Sequence, residues 1–181
     1  MNTENVKHWF TSLANGNNTQ EMVKGKTISE GVLNIVFSHA FISVFALYLV
    51  MPDISIQDLW PVGFLIVGII SWLTRTYLYH SFALILGGKG NYQEYTVKTS
   101  FPISGSMVIG TFLIGALLIS GIEWIWVYLL MVFIPLLAII QITEKEYALP
   151  RTKAIVAVLI PTLLMIVLSV AFSYYGVSII P

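Results

Sequence analysis

The sequence contains no cysteine, which excludes disulfide bonds and thiolate chemistry and leaves the redox compartment unspecified. Charge is also scarce: 10% of the residues are charged, whereas soluble domains carry about 25%. Basic and acidic residues number nine each, so the net charge is zero. A neutral chain has no bulk attraction for nucleic acid, and we expect no nucleic-acid partner.

Apolar residues make up 57% of the chain and are gathered in long runs, which is typical of membrane-spanning helices. We therefore predict an all-α fold, an integral membrane bundle of five transmembrane helices within residues 27–181. A short amphipathic segment, residues 1–26, precedes it. The predicted spans are 28–51, 61–86, 101–120, 124–142 and 154–174.

Local signals predict where these helices begin, bend and end. Thr27–Glu30 has the pattern of a capping box at the start of the first span. Asn91 is predicted to cap a short helix, which a bend at Ser100–Pro102 separates from the third span. Pro135 predicts a kink in the middle of the fourth span, and residues 143–153 are expected to form a charged loop.

In the N-terminal segment, Val6, Trp9, Phe10 and Leu13 fall on one stripe of a short helix. Two interpretations remain open. The stripe either lies on the membrane surface as an interfacial helix or packs against the cytoplasmic loops of the protein itself.

The basic residues predict the orientation. Eight of the nine lie in the N-terminal segment or in the loops after the second and fourth spans, and the ninth is Arg75. Because positive residues stay on the cytoplasmic side, we expect a cytoplasmic N-terminus and an external C-terminus. The protein is predicted to be a multi-pass membrane protein, of the cytoplasmic membrane if its source is prokaryotic.

One arginine and two histidines lie within the predicted spans: His39, Arg75 and His80. They could line an inward-facing polar pocket that binds an anion or a lipid phosphate. Alternatively, Arg75 extends to the headgroups and His39 makes a single interhelical hydrogen bond. Apart from Glu30 in the capping box, no carboxylate lies within a predicted span, and the chain has no cysteine, so we expect no metal site. No grouping of serine, histidine and aspartate can be argued from the sequence, so we expect no catalytic residue, and we expect no cofactor. Ser106 and Gly110 form a small-xxx-small pair that predicts close helix packing.

From His80 onward the sequence reads HSFALILGGKGNYQEYTVKTSFP, and it resembles the Ypt-interacting protein (YIP) domain family. That family has a helix ending in Gly-Gly-x-Gly, then an aromatic residue, an amphipathic turn and a proline. The positions that match are Gly87, Gly88, Gly90, Tyr92 and Pro102.

The resemblance implies a protein without enzymatic activity. Eukaryotic members of the family bind prenylated Rab GTPases and act in vesicle traffic, but they carry a long cytosolic region ahead of their spans. Here some 26 residues precede the first predicted span, which resembles the short prokaryotic members, so we expect no Rab-type partner. The expected partners are the lipid bilayer and either a second copy of the chain or another membrane protein.

Three hypotheses about function follow from the sequence. The first is a membrane scaffold or adaptor, in membrane organisation or trafficking, that works through its cytoplasmic loops and helix surfaces. The second is a small transporter or channel for an anion or amphiphile, using Arg75 and His39. The third is a lipid-processing enzyme.

Overall fold

A computed structural model describes residues 3–19, 23, 26–49, 60–120 and 133–176. These residues form six α-helices and one short 3-10 helix, and none of them lies in a strand. The helices are α1 Thr3–Ala14, the 3-10 helix Gly16–Asn18, α2 Ile28–Leu49, α3 Trp60–Ile85, α4 Tyr92–Ile119, α5 Leu136–Glu146 and α6 Arg151–Gly176. The all-α prediction is confirmed for this part of the chain. The predicted outer turns, the first half of the fourth span and the C-terminal tail lie outside the described residues.

Helices α2 and α4 begin at the residues that the capping signals indicate. The Thr27 N–H donates to Glu30 Oε2 at 2.8 Å, which is half of the predicted capping box. At the start of α4, Asn91 Oδ1 accepts the N–H groups of Gln93 at 2.8 Å and Glu94 at 3.3 Å. Both caps satisfy backbone donors that have no partner within the helix.

The predicted bend at Ser100–Pro102 is wrong, because α4 runs without a break from Tyr92 to Ile119 with Pro102 inside it. Pro102 has no N–H to donate to the carbonyl of Lys98, which alone would favour a kink. Tertiary packing counteracts it, since every residue from Tyr95 to Ser106 is buried. A helix enclosed on all sides by other helices can tolerate a proline.

The predicted interruption at Pro135 is present, but the predicted charged loop is shorter than expected. Phe133 is helical, Ile134 and Pro135 form a turn, and α5 begins at Leu136. A proline suits a helix start, where its missing N–H would have no acceptor. Helix α5 then continues to Glu146, so the predicted charged loop is reduced to the short connection 147–150.

Helices α2 and α4 run side by side in the same direction. A Cβ added to Gly31 would lie 3.5 Å from the Cα of Val97. One turn further along both helices, Asn34 Nδ2 donates to Ser100 Oγ at 3.2 Å. Glycine and serine at these positions let the two backbones approach closely.

Helices α3 and α6 run in opposite directions. The hydroxyls of Tyr79 and Thr162 are 2.8 Å apart. Seven residues further along α3, the Leu86 carbonyl accepts a hydrogen bond from Lys153 Nζ at 2.9 Å, near the start of α6. The lysine charge thus lies at the carboxyl end of α3, where the helix dipole favours a cation.

The main core is shared by five helices, α2 to α6. It contains Ile35, Trp72, Ile103, Ile139 and Val158, one residue from each helix in chain order, and all five are buried. Helix α4 is central, because its first half contacts neighbours on every face. The loop Gly87–Asn91 follows α3 and the loop Tyr147–Pro150 follows α5, and the two loops meet at one end of this bundle.

Helix α1 packs across α4, and the 3-10 helix packs on α5. Trp9 is buried and donates from Nε1 to Asn34 Oδ1 at 3.3 Å. A Cβ on Gly105 of α4 would lie 2.7 Å from the Trp9 carbonyl oxygen. Of the two interpretations of the N-terminal stripe, packing against the protein's own chain holds for Trp9, whereas Phe10 is exposed. The contact is with α4 rather than with the loops.

Among the described residues, one stretch, Arg151–Val170, is long and apolar enough to cross a membrane, and 28% of it is buried. Ile28–Ile42 is a shorter apolar helix. A single such helix does not establish a span, so the described residues do not support the predicted five-span bundle. Arg75 and His80 in α3, and Lys98 with several hydroxyl groups in α4, reduce the apolar character of those helices.

Candidate functional site

The residues that carry the family resemblance begin with the turn that ends α3. Gly87 has a φ of +94°, a left-handed conformation that favours glycine. The Gly87 N–H donates to the Leu84 carbonyl and the Gly88 N–H to the Ala83 carbonyl, both at 2.9 Å. These two bonds form a Schellman motif, which satisfies the last carbonyls of α3 and turns the chain away.

The next two glycines, Gly88 and Gly90, leave the space that the Tyr147 side chain occupies. A Cβ on Gly88 would lie 2.7 Å from the Tyr147 Cβ, and one on Gly90 would lie 2.6 Å from the Tyr147 Cδ1. Real Cβ atoms do not approach other atoms so closely, so neither position has room for a side chain. Between them, the Lys89 N–H donates to the Tyr147 carbonyl at 3.3 Å. We call Gly87–Asn91 and Tyr147–Pro150, joined in this way, the loop junction.

A buried ion pair connects α4 to the end of α5 beside the loop junction. Lys98 Nζ lies 2.5 Å from Glu146 Oε2, and each side chain is 8% exposed. The other oxygen of Glu146 accepts the Asn91 N–H at 3.2 Å. Lys98 also contacts Glu94 at 3.3 Å, but the Glu94 side chain is 63% exposed. Because burial removes both charges from water, each depends on the other for its stability.

Aromatic side chains fill the space between this ion pair and α3. The Tyr147 hydroxyl lies 2.5 Å from Nδ1 of His80. The His80 ring is also 5.2 Å from the ring of Tyr92, and the Tyr95 ring is 5.1 Å from that of Tyr147. The Thr143 hydroxyl donates to the backbone, so the Tyr95 hydroxyl, 2.9 Å from it, is the donor in their bond.

These phenols stay protonated at neutral pH. Burial raises the pKa of Tyr147 well above the usual value for tyrosine, and the neighbouring Glu146 charge raises it further. Burial likewise raises the pKa of Tyr95. A protonated phenol can donate a hydrogen bond, and both hydroxyls lie within hydrogen-bond distance of a neighbouring side chain.

The structure does not bring His39, Arg75 and His80 together. The His39 ring packs on Gly68 of α3, and its Nδ1 lies 2.8 Å from the Ile35 carbonyl of its own helix. Gly68 precedes Arg75 by seven residues, or about 10 Å along the helix, and His80 by twelve, or about 18 Å. His80 instead belongs to the loop junction through Tyr147.

Arg75 itself is partly buried on α3, and no described residue forms a hydrogen bond or ion pair with it. It lies about one helical turn before Tyr79 on the same helix. The proposal that Arg75 extends to the headgroups therefore remains a prediction.

The predicted packing face of α4 is buried. Ser106 is 2% exposed and its hydroxyl donates to the Ile103 carbonyl at 2.8 Å, and Gly110 is buried as well. The neighbouring residue Gly105 approaches α1 closely, since a Cβ there would lie 2.7 Å from the Trp9 carbonyl oxygen. The close helix contact predicted for Ser106 and Gly110 stays a prediction.

Within the part of the chain that the structure describes, no three or more histidine or acidic side chains are grouped so that they could hold a metal ion. Compared with known protein families, curated proteins and solved structures, the chain matches none. The geometry of the loop junction is thus the main source of information about what the protein does.

Sequence reasoning did not identify Lys98, Glu146 and Tyr147 as a unit. Glu94 and Lys98 are spaced four apart on one helix, which signals a local ion pair. Nothing local, however, indicates that Lys98 meets a glutamate 48 residues away. The glycines of the family pattern could have indicated a close contact at this loop, because a side chain on Gly88 or Gly90 would collide with Tyr147.

Proposed function

We propose that this chain is a multi-pass integral membrane protein of the YIP type, with five spans, that acts as a non-catalytic scaffold or adaptor. The observation that supports the membrane location best is the row of apolar side chains that face outward. Leu33, Phe37 and Phe41 follow one another at intervals of four residues on α2, and all are exposed. Soluble monomers rarely expose contiguous apolar surface of this kind.

The same pattern recurs on other helices. Ile160, Leu164 and Leu168 form an exposed row on α6, and Ile66 and Ile70 lie exposed on α3. In lipid such side chains need no protein partner. The proposal places these rows against lipid acyl chains. It also accounts for the apolar outer surface of a bundle whose central helix, α4, buries several hydroxyl groups.

The distribution of charge supports the proposed orientation. Helix contacts place the starts of α2, α4 and α6 and the ends of α3 and α5 at one end of the bundle. Lys89, Lys98, Lys145, Arg151 and Lys153 lie there. Under the positive-inside rule this end is cytoplasmic, and the loop junction then faces the cytoplasm.

The scaffold role rests on the resemblance to the YIP family and on the packing at this end. Two loops joined by Tyr147 and the Lys98–Glu146 pair give a rigid surface of fixed shape. A preorganised surface loses little conformational entropy when a partner binds.

Single-cysteine labelling tests the proposal, and the natural chain has no cysteine to interfere. Cysteines placed at Asp53 and Glu123 should react with a membrane-impermeant reagent added outside intact cells. Cysteines at Lys89 and Lys145 should react only after the membrane is permeabilised. Labelling of Lys89 from outside would overturn the orientation, and release of the protein by alkaline carbonate would overturn its integral location.

A second candidate function, transport of a small anion or amphiphile, is favoured by one observation. Trp72 Nε1, Thr96 Oγ1 and Ser104 Oγ are buried without a hydrogen-bond partner among the described residues. Buried polar atoms of this kind are often satisfied by water or by a ligand. Cysteines at Thr96 and Ser104 would react with a small charged thiol reagent if they lined a water-filled path, and would stay unreactive in a dry scaffold.

A further inference from the structure

The loop junction carries a set of exposed basic side chains, of which only Lys153 makes a bond within the fold, to the Leu86 carbonyl. We define the basic rim by its four members, Lys89, Lys145, Arg151 and Lys153, all of which are exposed. The Lys89 N–H bonds the Tyr147 carbonyl, and Lys145 and Arg151 lie two and four residues from Tyr147. Packing of the two loops therefore brings together charges that are up to 64 residues apart in the chain.

The acidic residues near the rim are arranged differently. Glu146 lies between Lys145 and the Tyr147 turn, but its side chain is 8% exposed and points to Lys98. Glu94 also contacts Lys98, on the α4 side. Glu144, next to Lys145, is partly exposed. Lys98 thus neutralises Glu146, and four exposed basic side chains face two acidic ones, Glu94 and Glu144, which leaves the surface of the two loops with an excess of positive charge.

The position of the rim relative to apolar surface suggests what it binds. Leu84 and Ile85 at the end of α3, and Val156 at the start of α6, are exposed within a few residues of Lys89 and Lys153. Large apolar side chains next to cationic ones are typical of the boundary between acyl chains and headgroups. A soluble anion would need no such apolar neighbours.

We propose that the basic rim binds the phosphates of anionic lipid headgroups in the cytoplasmic leaflet. The inference rests on the proposed membrane location and adds a ligand class to the loop junction. Lysine and arginine next to a membrane span attract anionic lipid, and arginine can bind a phosphate through two parallel hydrogen bonds. The rim would thereby fix the scaffold on membranes or membrane regions rich in anionic lipid.

The test uses the full chain reconstituted in phosphatidylcholine vesicles that contain trace spin-labelled phosphatidylglycerol or phosphatidylcholine. Electron paramagnetic resonance measures the fraction of each probe that the protein immobilises, and their ratio gives the preference for the anionic lipid. We expect a preference of several-fold for the natural chain. A triple variant, Lys89→Gln, Lys145→Gln and Arg151→Gln, removes three of the four rim charges. We expect its preference for the anionic lipid to fall close to one, since each basic residue near the membrane surface contributes at most about fivefold to that preference.

Two controls accompany this variant. The charge-preserving set Lys89→Arg, Lys145→Arg and Arg151→Lys should retain the preference for the anionic lipid. Lys7→Gln, which removes a basic residue of α1 outside the rim, should leave the preference unchanged. Lys153 is left intact because its bond to the Leu86 carbonyl would be lost with it. An unchanged immobilised fraction of phosphatidylcholine in every variant shows that the bundle remains folded and inserted.

The outcomes separate the two proposals. If the natural chain immobilises neither probe, the membrane location itself is refuted. If it immobilises both equally, or if the triple Gln variant keeps the preference, the membrane location stands and the lipid site is refuted. If added inorganic phosphate abolishes the preference at constant ionic strength, the rim binds a soluble anion and the assignment to lipid is wrong.

Discussion

The ion pair between Lys98 and Glu146 allows a quantitative test of the loop junction. We consider Lys98→Met, Glu146→Gln and the two combined. Methionine has a similar length without charge, and glutamine keeps an oxygen that can accept the Asn91 N–H, 3.2 Å from Glu146 in the natural chain. The cycle therefore removes the charges while it preserves the volume and the loop hydrogen bond.

The expected losses differ between the two single variants. Lys98→Met leaves the Glu146 carboxylate 8% exposed without its cation, and breaking such a buried pair costs about 3–5 kcal/mol. Glu146→Gln should cost less, about 2 kcal/mol, because Lys98 keeps its contact with Glu94. The double variant buries no unpaired charge, so we expect it to lose about 1 kcal/mol. The coupling energy is then about 4–6 kcal/mol in favour of the pair.

The assay is equilibrium unfolding by sodium dodecyl sulfate in mixed micelles, followed by circular dichroism. Glu94→Gln is the matched control, since this carboxylate also contacts Lys98 but is 63% exposed. We expect it to cost no more than about 1 kcal/mol. If the losses of Lys98→Met and Glu146→Gln add to within about 0.5 kcal/mol in the double variant, the two charges do not depend on each other and the reasoning fails.

Three further predictions use the same unfolding assay. Gly90→Ala should lower the free energy of unfolding by about 1–3 kcal/mol, because its Cβ would lie 2.6 Å from Tyr147 Cδ1. Gly87→Ala has open space around it and should cost only about 1 kcal/mol of backbone strain. Equal losses would contradict the proposal that Gly90 makes room for Tyr147. Trp9→Phe removes the indole donor to α2 and should cost about 1 kcal/mol, and an unchanged stability would show that α1 is not held by this bond. Arg75→Lys should leave stability unchanged with or without anionic lipid, because lysine also extends to headgroups; a loss of lipid stabilisation would identify Arg75 as a ligand-binding residue.

Local signals in the sequence predicted much of the helix layout. The caps at Thr27 and Asn91 lie where the sequence places them, because each joins a side chain to a backbone N–H two or three residues away: Glu30 accepts from Thr27, and Asn91 accepts from Gln93. The glycine turn after α3 is similarly local, since only its own backbone and the last turn of the helix take part. Such interactions form wherever the short sequence allows them, which makes them readable without a tertiary structure.

Signals that depend on neighbouring helices were misjudged. Both Pro102 and Pro135 were predicted to interrupt a helix, and the interruption occurs at Pro135 but not at Pro102, which lies inside α4. A proline inside a helix leaves the carbonyl four residues earlier without its hydrogen bond. Whether the helix continues depends on how completely its surroundings enclose it, and the first half of α4 is buried on every face.

The grouping of functional side chains was the least predictable feature. His39, Arg75 and His80 are all ionisable side chains within apolar runs. How far His39 on α2 lies from the other two on α3 depends on the register between these helices. The contact of His39 with Gly68 sets that register and places His39 far from His80. An alternative partner for His80, Tyr147, lies 67 residues away in the sequence.

The sequence by itself determined an all-α chain with apolar helices, their capped starts and the glycine turn after α3. These features follow from composition and from interactions within a few residues. Only the tertiary structure decided that α4 is continuous and central, that Gly88 and Gly90 receive Tyr147, and that Lys98 neutralises Glu146. The reason is physical: a buried charge or a missing Cβ is stabilised by atoms that the fold brings close, and their distance along the chain leaves no trace in local patterns.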